Sequence, residues 1–559
     1  MMSCWSHQRW FHYLLITCAY ALLTLPNLGS HTLWDMDEGV NGEASREMLE
    51  IGNYITPYFN YEIRVAKPVM LYWLQTTSIR IFGINEFALR FASVFCCWLA
   101  VLLCYELART MFGSTVGLLS GIILASCIQF CILAHAATPD ASLMFFLMAV
   151  MACFYIGSHG GRRWWFFPCG IAAGLAVLTK GPIGIGLPGL IILLYLIWDR
   201  RLKIVWDRRL IYGFLLFYLV ALPWYILVAV DTKGIWPTRF FMGENLNRFQ
   251  APMQGHSGGI WYYPALLLVL FAPWSFVIVY TLWKAVDFSV KRDRDTAPEE
   301  LEERSAIRYL VSWFFVWLIV FSAAATKLPN YILPLYPALA ILTARVLVRW
   351  FTKVAEPAKS IQWLAWSGLF LTGAITIVGI LIAGGTIPLP GGKFKPFIGL
   401  STYAWIGVFP LISSAFVLRA LITRNYSQVL PVLAVTGVLY TAGLSAFPPV
   451  VFNDYKAPAN LIRENNLLQP DSDLRLASHG WFRESAVFYA QREIKILYSI
   501  KEVNQFLEAP TGGYLFVLEQ EYPRIQKELT TQPIIVGSHY DFLSNGNVLV
   551  LWNGYPVSK

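Results

Sequence analysis

Long apolar runs, separated by short polar connectors, fill the first 450 positions of the chain. A run of about twenty such residues crosses the hydrocarbon core of a bilayer as a helix, which satisfies its own backbone hydrogen bonds. The pattern predicts about thirteen spans, at 11–29, 88–109, 114–136, 140–158, 164–180, 182–198, 210–230, 260–283, 307–325, 331–350, 361–384, 401–419 and 428–446. The stretch 68–83, KPVMLYWLQTTSIRIF, is shorter and carries a Pro and an Arg, so it is expected as an interfacial helix. After Asn453 the period changes. LRLAS, EIKILYS, GYLFVLE, PIIVGS and NVLVLWN read as short strands, with WFRESAVFYAQ and SIKEVNQFLEA as helices between them. The expected fold is a polytopic α-helical membrane domain over 1–450, followed by a small α/β domain over 451–559.

Composition supports this division. The chain of 559 residues is 57% hydrophobic and 14% charged, with mean hydropathy +0.52; a soluble chain of that length would break into several polar-surfaced domains. The net charge of +9 does not point to nucleic acid, because the basic residues lie in short loops between apolar runs. With the N-terminus inside, Arg109, Arg162, Arg163, Arg200, Arg201, Lys203, Arg208, Arg209, the loop 284–308, the stretch 345–359, Arg419 and Arg424 all fall inside, as the positive-inside bias requires. The outside then receives the loop 30–87, the turns around Asp140 and Lys180, the loop 231–259, the ATKLPNY turn and the tail from about 447. The nine cysteines all precede residue 170, mostly within apolar runs, and show no metal-ligand spacing or disulfide framework. The apolar run after Arg9 has no small-residue cleavage site and reads as a retained first helix. The tail has no Gly-rich phosphate loop and no nucleophile elbow.

Candidate chemistry begins just past the first span. Residues 33–49, LWDMDEGVNGEASREML, carry Asp35, Asp37, Glu38, Glu43 and Glu47. Membrane insertion needs none of these, so the stretch is either a solvated loop leading into an amphipathic helix or a source of catalytic carboxylate. The same outer side holds Asp140, the cations Lys67, Lys180, Arg248 and Lys327, His256, and the aromatics Trp261, Tyr262, Tyr263 and Tyr331. Single charges at the ends of spans are costly and usually functional; Lys180 and Lys327 either do such work or snorkel to the interface. A transporter or flippase for a lipid-linked substrate would pair its charges within discontinuous helices near the midplane and would show inverted repeats. Here the charges sit at one end, on loops, and no such repeat is visible. That arrangement suits a surface reaction on a lipid-borne substrate, with cations on a phosphate and a carboxylate taking a proton from an incoming hydroxyl.

The order LWDMDE, SREML, AKP, TPD, TKG, ALPW, ENLNRF, an H-x4-WYY run and KLPNYILPLYPALA resembles the bacterial aminoarabinose transferases that modify lipid A. It is similar also to the wider set of polyprenyl-phosphate-sugar-dependent glycosyltransferases that includes protein O-mannosyltransferases. The resemblance runs over roughly residues 30–345. It implies an inverting integral-membrane glycosyltransferase with the GT-C fold, having outer-face juxtamembrane helices, a C-terminal outer-face domain and a polyprenyl-phosphate sugar donor. The acceptor would be lipid A or another glycolipid, or alternatively a protein Ser/Thr, at the outer face of a bacterial inner membrane. In that picture Asp37 is the catalytic carboxylate, Glu38 and Glu43 belong to its motif, and Asp140 is a second acidic position. Lys67 would grip the donor phosphate with Arg248 and Tyr331. In the aminoarabinose transferases a Glu before Lys-Pro and a His before WYY can share a divalent metal. Here Ala66 stands in place of that Glu, which leaves His256 as a metal ligand, a loop imidazole or a substrate contact, with no other cofactor implied. Val40-Asn41 replaces the family's Arg-Tyr, so the resemblance leaves the sugar and the acceptor open.

Overall fold

The computed structural model describes residues 2–247, 258–291, 297–388, 395–469 and 473–557. Arg248 and His256 lie outside the described residues. The chain divides into two compact units. One comprises Met1–Pro26, Ala66–Met70 and Ser93–Pro448; the other comprises Asn27–Val65, Leu71–Ala92 and Pro449–Lys559.

The first unit is helical. Among the described residues eight helices are long and apolar enough to cross a bilayer: Glu86–Phe112, Pro139–Ser158, Arg208–Asp231, Pro298–Ala323, Pro329–Phe351, Lys359–Ala383, Leu400–Thr423 and Val429–Tyr455. The remaining expected spans are shorter, more polar or broken. Ser114–Ser126 and Ile128–Ala134 meet at a 66° bend, where Cys127 adopts an extended backbone. The Phe166–Lys180 helix has 15 residues, a length of roughly 22 Å against a hydrocarbon core of about 30 Å. The stretch 260–283 is interrupted at Pro273, which lacks the N–H a continuous helix would use. Met2–Thr24 is a helix of 23 residues with a polar first half. The 68–83 stretch forms the helix Met70–Phe82, which beyond Met70 belongs to the second unit.

Small residues set the spacing within this unit. A Cβ on Gly170 would fall 1.8 Å from the Gly213 carbonyl oxygen, so the helices Phe166–Lys180 and Arg208–Asp231 touch backbone to backbone. Indole N–H groups fix the segment before Tyr336: Trp313 donates to the Pro334 carbonyl at 2.8 Å and Trp317 to the Tyr331 carbonyl at 2.7 Å.

The second unit carries a short antiparallel pair, β1 (Tyr58–Phe59) and β2 (Glu62–Ile63). It also holds a five-stranded sheet of β3 (Arg475–His479), β4 (Ile494–Ile496), β5 (Gly513–Leu518), β6 (Ile534–Asp541) and β7 (Gly546–Trp552), in the order β4-β3-β5-β7-β6. β3 runs parallel to β4 and β5, while β7 is antiparallel to β5 and β6. Each expected strand in the tail is present, and the two expected helices appear as Glu484–Ala490 and Ile500–Glu508. The latter opens with a capping box between Ser499 and Glu502 and buries Val503, Phe506 and Leu507 against Ala477, Leu515, Val517, Leu549 and Leu551. The same unit holds the helix Asp37–Ile51. A Cβ at Gly39 would fall 2.4 Å from the Ser485 backbone nitrogen, so close backbone packing requires that glycine, whereas one at Gly42 would fall 2.5 Å from the methyl end of the Leu89 side chain, which can turn aside.

Candidate active site

The acidic stretch becomes the helix Asp37–Ile51, and most of its carboxylates turn inward. Glu38 is 2% exposed and forms a two-pronged ion pair with Arg90, Nε to Oε1 at 2.9 Å and Nη2 to Oε2 at 2.7 Å. The other Arg90 donors go to the carbonyls of Leu28, His31 and Thr32 at 3.1, 2.7 and 3.2 Å. A third hydrogen bond to Glu38 comes from the Trp34 backbone N–H at 2.8 Å. One guanidinium thus holds the whole approach to the helix; its planar fork suits a carboxylate and carbonyls at once. Asp35 accepts from the Ser485 backbone N–H and hydroxyl at 2.7 and 2.9 Å. Lys456 donates to the Thr32 carbonyl at 2.9 Å and lies 3.6 Å over the Trp34 ring; burial pulls its ammonium down to about 7.

Further along the helix, both Glu43 oxygens accept from Arg46 at 2.8 Å. Arg46 also reaches Glu50 at 2.8 Å. Glu47, fully buried like Glu43, accepts from the Tyr61 backbone N–H; burial, with the neighbouring Glu43 carboxylate, pushes it up to about 8. Asp37 differs from all of these. It is exposed, opens the helix, and its carboxylate makes no hydrogen bond or ion pair among the described residues. In the first turn the helix dipole favours its negative charge.

The cations occupy a cavity of about 370 Å³ in the first unit, lined by Lys67, Asp140, Lys180, Asn330 and Tyr331 on one side and by apolar groups such as Leu187, Trp317 and Phe321 on the other. Asp140 starts the helix Pro139–Ser158 and Lys180 ends the helix Phe166–Lys180. The two meet with Nζ 2.5 Å from Oδ1, while the Asn330 amide donates to Oδ2 at 2.6 Å. Lys180 also lies 4.9 Å over the Tyr331 ring. Lys67 is half-buried on the cavity wall, brought there by the short Ala66–Met70 segment of the first unit.

The cavity therefore gathers Lys67, Asp140, Lys180 and Tyr331. It does not include Lys327, whose ammonium donates to the carbonyls of Phe321, Ser322 and Ala324 at 2.9, 2.6 and 2.6 Å and so caps the end of the helix Pro298–Ala323. Asp37, Glu38 and Glu43 belong to the second unit. Two partners were not read from the sequence: Arg90, an arginine inside an apolar span, and Asn330, within the KLPNY turn. A charge in a span is itself a signal of function or pairing, and it would have singled out Arg90. Among the described residues no three His, Cys, Asp or Glu side chains group closely enough to hold a metal ion. Ala66 offers no ligand atom where the resemblance would place a carboxylate.

Residues 66–226, which include Lys67, Asp140 and Lys180, match the dolichyl-phosphate-mannose-protein mannosyltransferase family. The chain is 31% identical over 377 residues to the undecaprenyl phosphate-alpha-4-amino-4-deoxy-L-arabinose arabinosyl transferase of Enterobacter sp. (strain 638), covering 66% of this chain and 64% of that one. It is 29% identical over 504 residues to the enzyme of the same name from Aeromonas hydrophila, covering 89% and 88%. Its fold matches that of ArnT from Cupriavidus metallidurans bound to undecaprenyl phosphate, with TM-score 0.77 at 22% identity over 97% of both chains. It also matches the Archaeoglobus fulgidus oligosaccharyltransferase, with TM-score 0.53 at 12% identity over 93% of this chain and 71% of that one. Fold and sequence together define the class: this is an integral membrane glycosyltransferase of the GT-C type. Within that class it resembles the aminoarabinose transferases.

Proposed function

We propose that the protein moves a sugar from a polyprenyl-phosphate carrier to a hydroxyl of lipid A or another glycolipid, at the periplasmic face of a bacterial inner membrane. The observation that carries this reading is the cavity. Two ammonium groups, an amide and a tyrosine ring face an apolar wall at the ends of membrane helices, which offers charge for a phosphate and apolar surface for an isoprenoid chain. Lys67, on the same cavity wall as the Asp140–Lys180 pair, is assigned to the donor phosphate, and the resemblance assigns Arg248 the same role. Both Asp140 oxygens are engaged, which suits the carboxylate to positioning Lys180 rather than to taking a proton. The Asn330 amide and Tyr331 complete the phosphate's surroundings.

Asp37 is assigned as the general base. Its carboxylate takes the proton from the acceptor hydroxyl as that oxygen bonds the anomeric carbon. The bond from this carbon to the phosphate oxygen breaks, the configuration inverts, and polyprenyl phosphate departs with both bonding electrons. A phosphate leaving group needs charge stabilisation more than protonation, which is what ammonium groups supply. Glu38 and Glu43 act through Arg90 and Arg46, by fixing the helix that presents Asp37.

The match to a protein mannosyltransferase family over 66–226 supports a second reading, with a protein Ser/Thr as acceptor, since that stretch carries the donor cations whichever acceptor is used. Purified protein is given a labelled polyprenyl-phosphate sugar with lipid A, with a Ser/Thr-rich peptide, or with no acceptor. Label on lipid A, and release of polyprenyl phosphate only with acceptor, is the expected result. Label on the peptide selects the second reading, and movement of donor across a vesicle bilayer without release would sink both.

A further inference from the structure

At the end of the helices opposite the cavity lies a second feature that the sugar-transfer reading does not use. The helix Ile183–Trp198 turns Ile183, Gly186 and Leu187 to the cavity. Ile185, Pro188, Gly189 and Ile192 line a separate apolar groove of about 440 Å³. At roughly 100° per residue these two sets lie on different faces of the helix, so the groove is not an extension of the cavity. Its remaining walls include Phe166, Gly170, Val205 and Phe214. Phe214 is 51% exposed and Leu193 44%, so the groove opens to the lipid-facing side.

The groove ends at a basic rim. Val205 and Leu210, both on its wall, are flanked in sequence by Lys203, Arg208 and Arg209, and Phe166 follows Arg162 and Arg163. Contacts join these segments: Arg209 lies 5.0 Å over the Trp164 ring, and Arg163 approaches Asp207 at 3.6 Å. The acidic groups nearby are already engaged. Asp207 also caps the Arg209 backbone N–H at 2.9 Å, and Asp199 is held by Arg308 at 3.3 Å and by the Ser305 hydroxyl at 2.7 Å. Leu196, also on the groove wall, precedes Arg200 by four residues; Arg162, Arg200, Lys203 and Arg208 are exposed and make no ion pair among the described residues. Trp164 and Trp206, 66% and 81% exposed, lie in the same two connectors in sequence, and indoles favour the headgroup level of a bilayer.

We propose that this groove and rim form a binding site for an anionic diacyl phospholipid, with an acyl chain along Gly189 and the headgroup phosphate among Arg162, Arg200, Lys203 and Arg208. Charge complementarity selects the occupant: apolar contact alone would accept any lipid, whereas a rim with this surplus of positive charge discriminates by headgroup. The site is distinct from the proposed donor cavity and does not depend on that assignment.

The test uses the full chain in nanodiscs of phosphatidylcholine doped with spin-labelled phosphatidylglycerol or spin-labelled phosphatidylcholine, and reads the motionally restricted fraction. Wild type is expected to restrict phosphatidylglycerol in preference. Each basic residue near a membrane surface is worth about a fivefold change in relative affinity at most, so Arg208→Gln should lower the preference by up to that factor and Arg162→Gln/Arg200→Gln/Arg208→Gln should abolish it. Gly189→Leu fills the groove, because a Cβ there meets nothing within 4 Å, and should reduce restriction of both lipids while the thermal midpoint holds. Equal restriction of the two lipids by wild type, or an unchanged preference in the triple variant, overturns the headgroup site. Unchanged restriction in Gly189→Leu overturns the groove.

Discussion

The acidic helix and the cation cavity spend their charges in opposite ways. Along Asp37–Ile51 the carboxylates are mostly buried and matched to arginines, Glu38 to Arg90 and Glu43 to Arg46, and Asp37 is left exposed at the helix start. In the cavity the charges line a space instead: Asp140 holds Lys180 in place, and Lys67 stands on the same wall. One region uses ion pairs to build a backbone shape and the other uses one to aim a side chain. An abundance of charged residues in a motif is therefore a poor guide to which of them reacts. Exposure and the identity of the partner separate the roles.

The largest effect expected from this contrast is at Asp37. Asp37→Asn removes the base and keeps the shape, so transfer should fall by about a thousandfold, with the thermal midpoint close to wild type because only the exposed charge's interaction with the helix dipole is lost. Residual transfer near the wild-type rate would move the base elsewhere. Arg90→Met breaks the building side of the comparison. It leaves Glu38 buried without its cation, a loss on the order of 3–5 kcal/mol, read as a lower unfolding midpoint, with transfer lost through the displaced loop. An unchanged midpoint would show that the pair contributes little to the shape. In the cavity, Lys180→Met should weaken donor binding roughly tenfold to a hundredfold, as charge-assisted hydrogen bonds do when removed. Asp140→Asn should weaken it less, since the ammonium stays and only its tether is cut. Equal donor dissociation constants for Asp140→Asn and Lys180→Met would mean that the two act as one unit rather than as a grip and its support.

The sequence made the cavity more legible than the acidic helix. Lys67, Asp140, Lys180 and Tyr331 each stand beside Gly or Pro, or within a short turn, at the end of an apolar run, where a charge or hydroxyl has few reasons to be, and all four line one space. Lys327 shares that sequence context but serves carbonyls at its own helix end, a local use that spacing does not separate from a ligand role. The pairing of Glu38 with Arg90 crosses 52 positions and could not be read from periodicity. The tail strands were visible because alternation and turn residues bound each one. The bend after Ser126 was not, since Cys127 is as apolar as its neighbours and only its backbone angles break the helix.

A pH-dependent effect separates Glu47 from the paired glutamates of the same helix. Glu47 is buried beside Glu43, and its carboxyl is raised from the ordinary 4.5 to about 8. Folded protein therefore holds a proton on Glu47 that unfolded protein releases above the ordinary carboxylate range. Wherever the folded state binds more protons, stability falls as pH rises. The contribution of Glu47 is complete below 4.5, declines through the interval, and is gone once pH passes about 8. Glu47→Gln keeps a neutral group of the same shape, so at pH 5 it should unfold at nearly the wild-type midpoint. By pH 8 it should be the more stable of the two, and the gap should widen steadily in between. A difference between Glu47→Gln and wild type that does not change with pH would mean that Glu47 is ionised in the folded protein, with Arg46 dividing its charge between both buried glutamates.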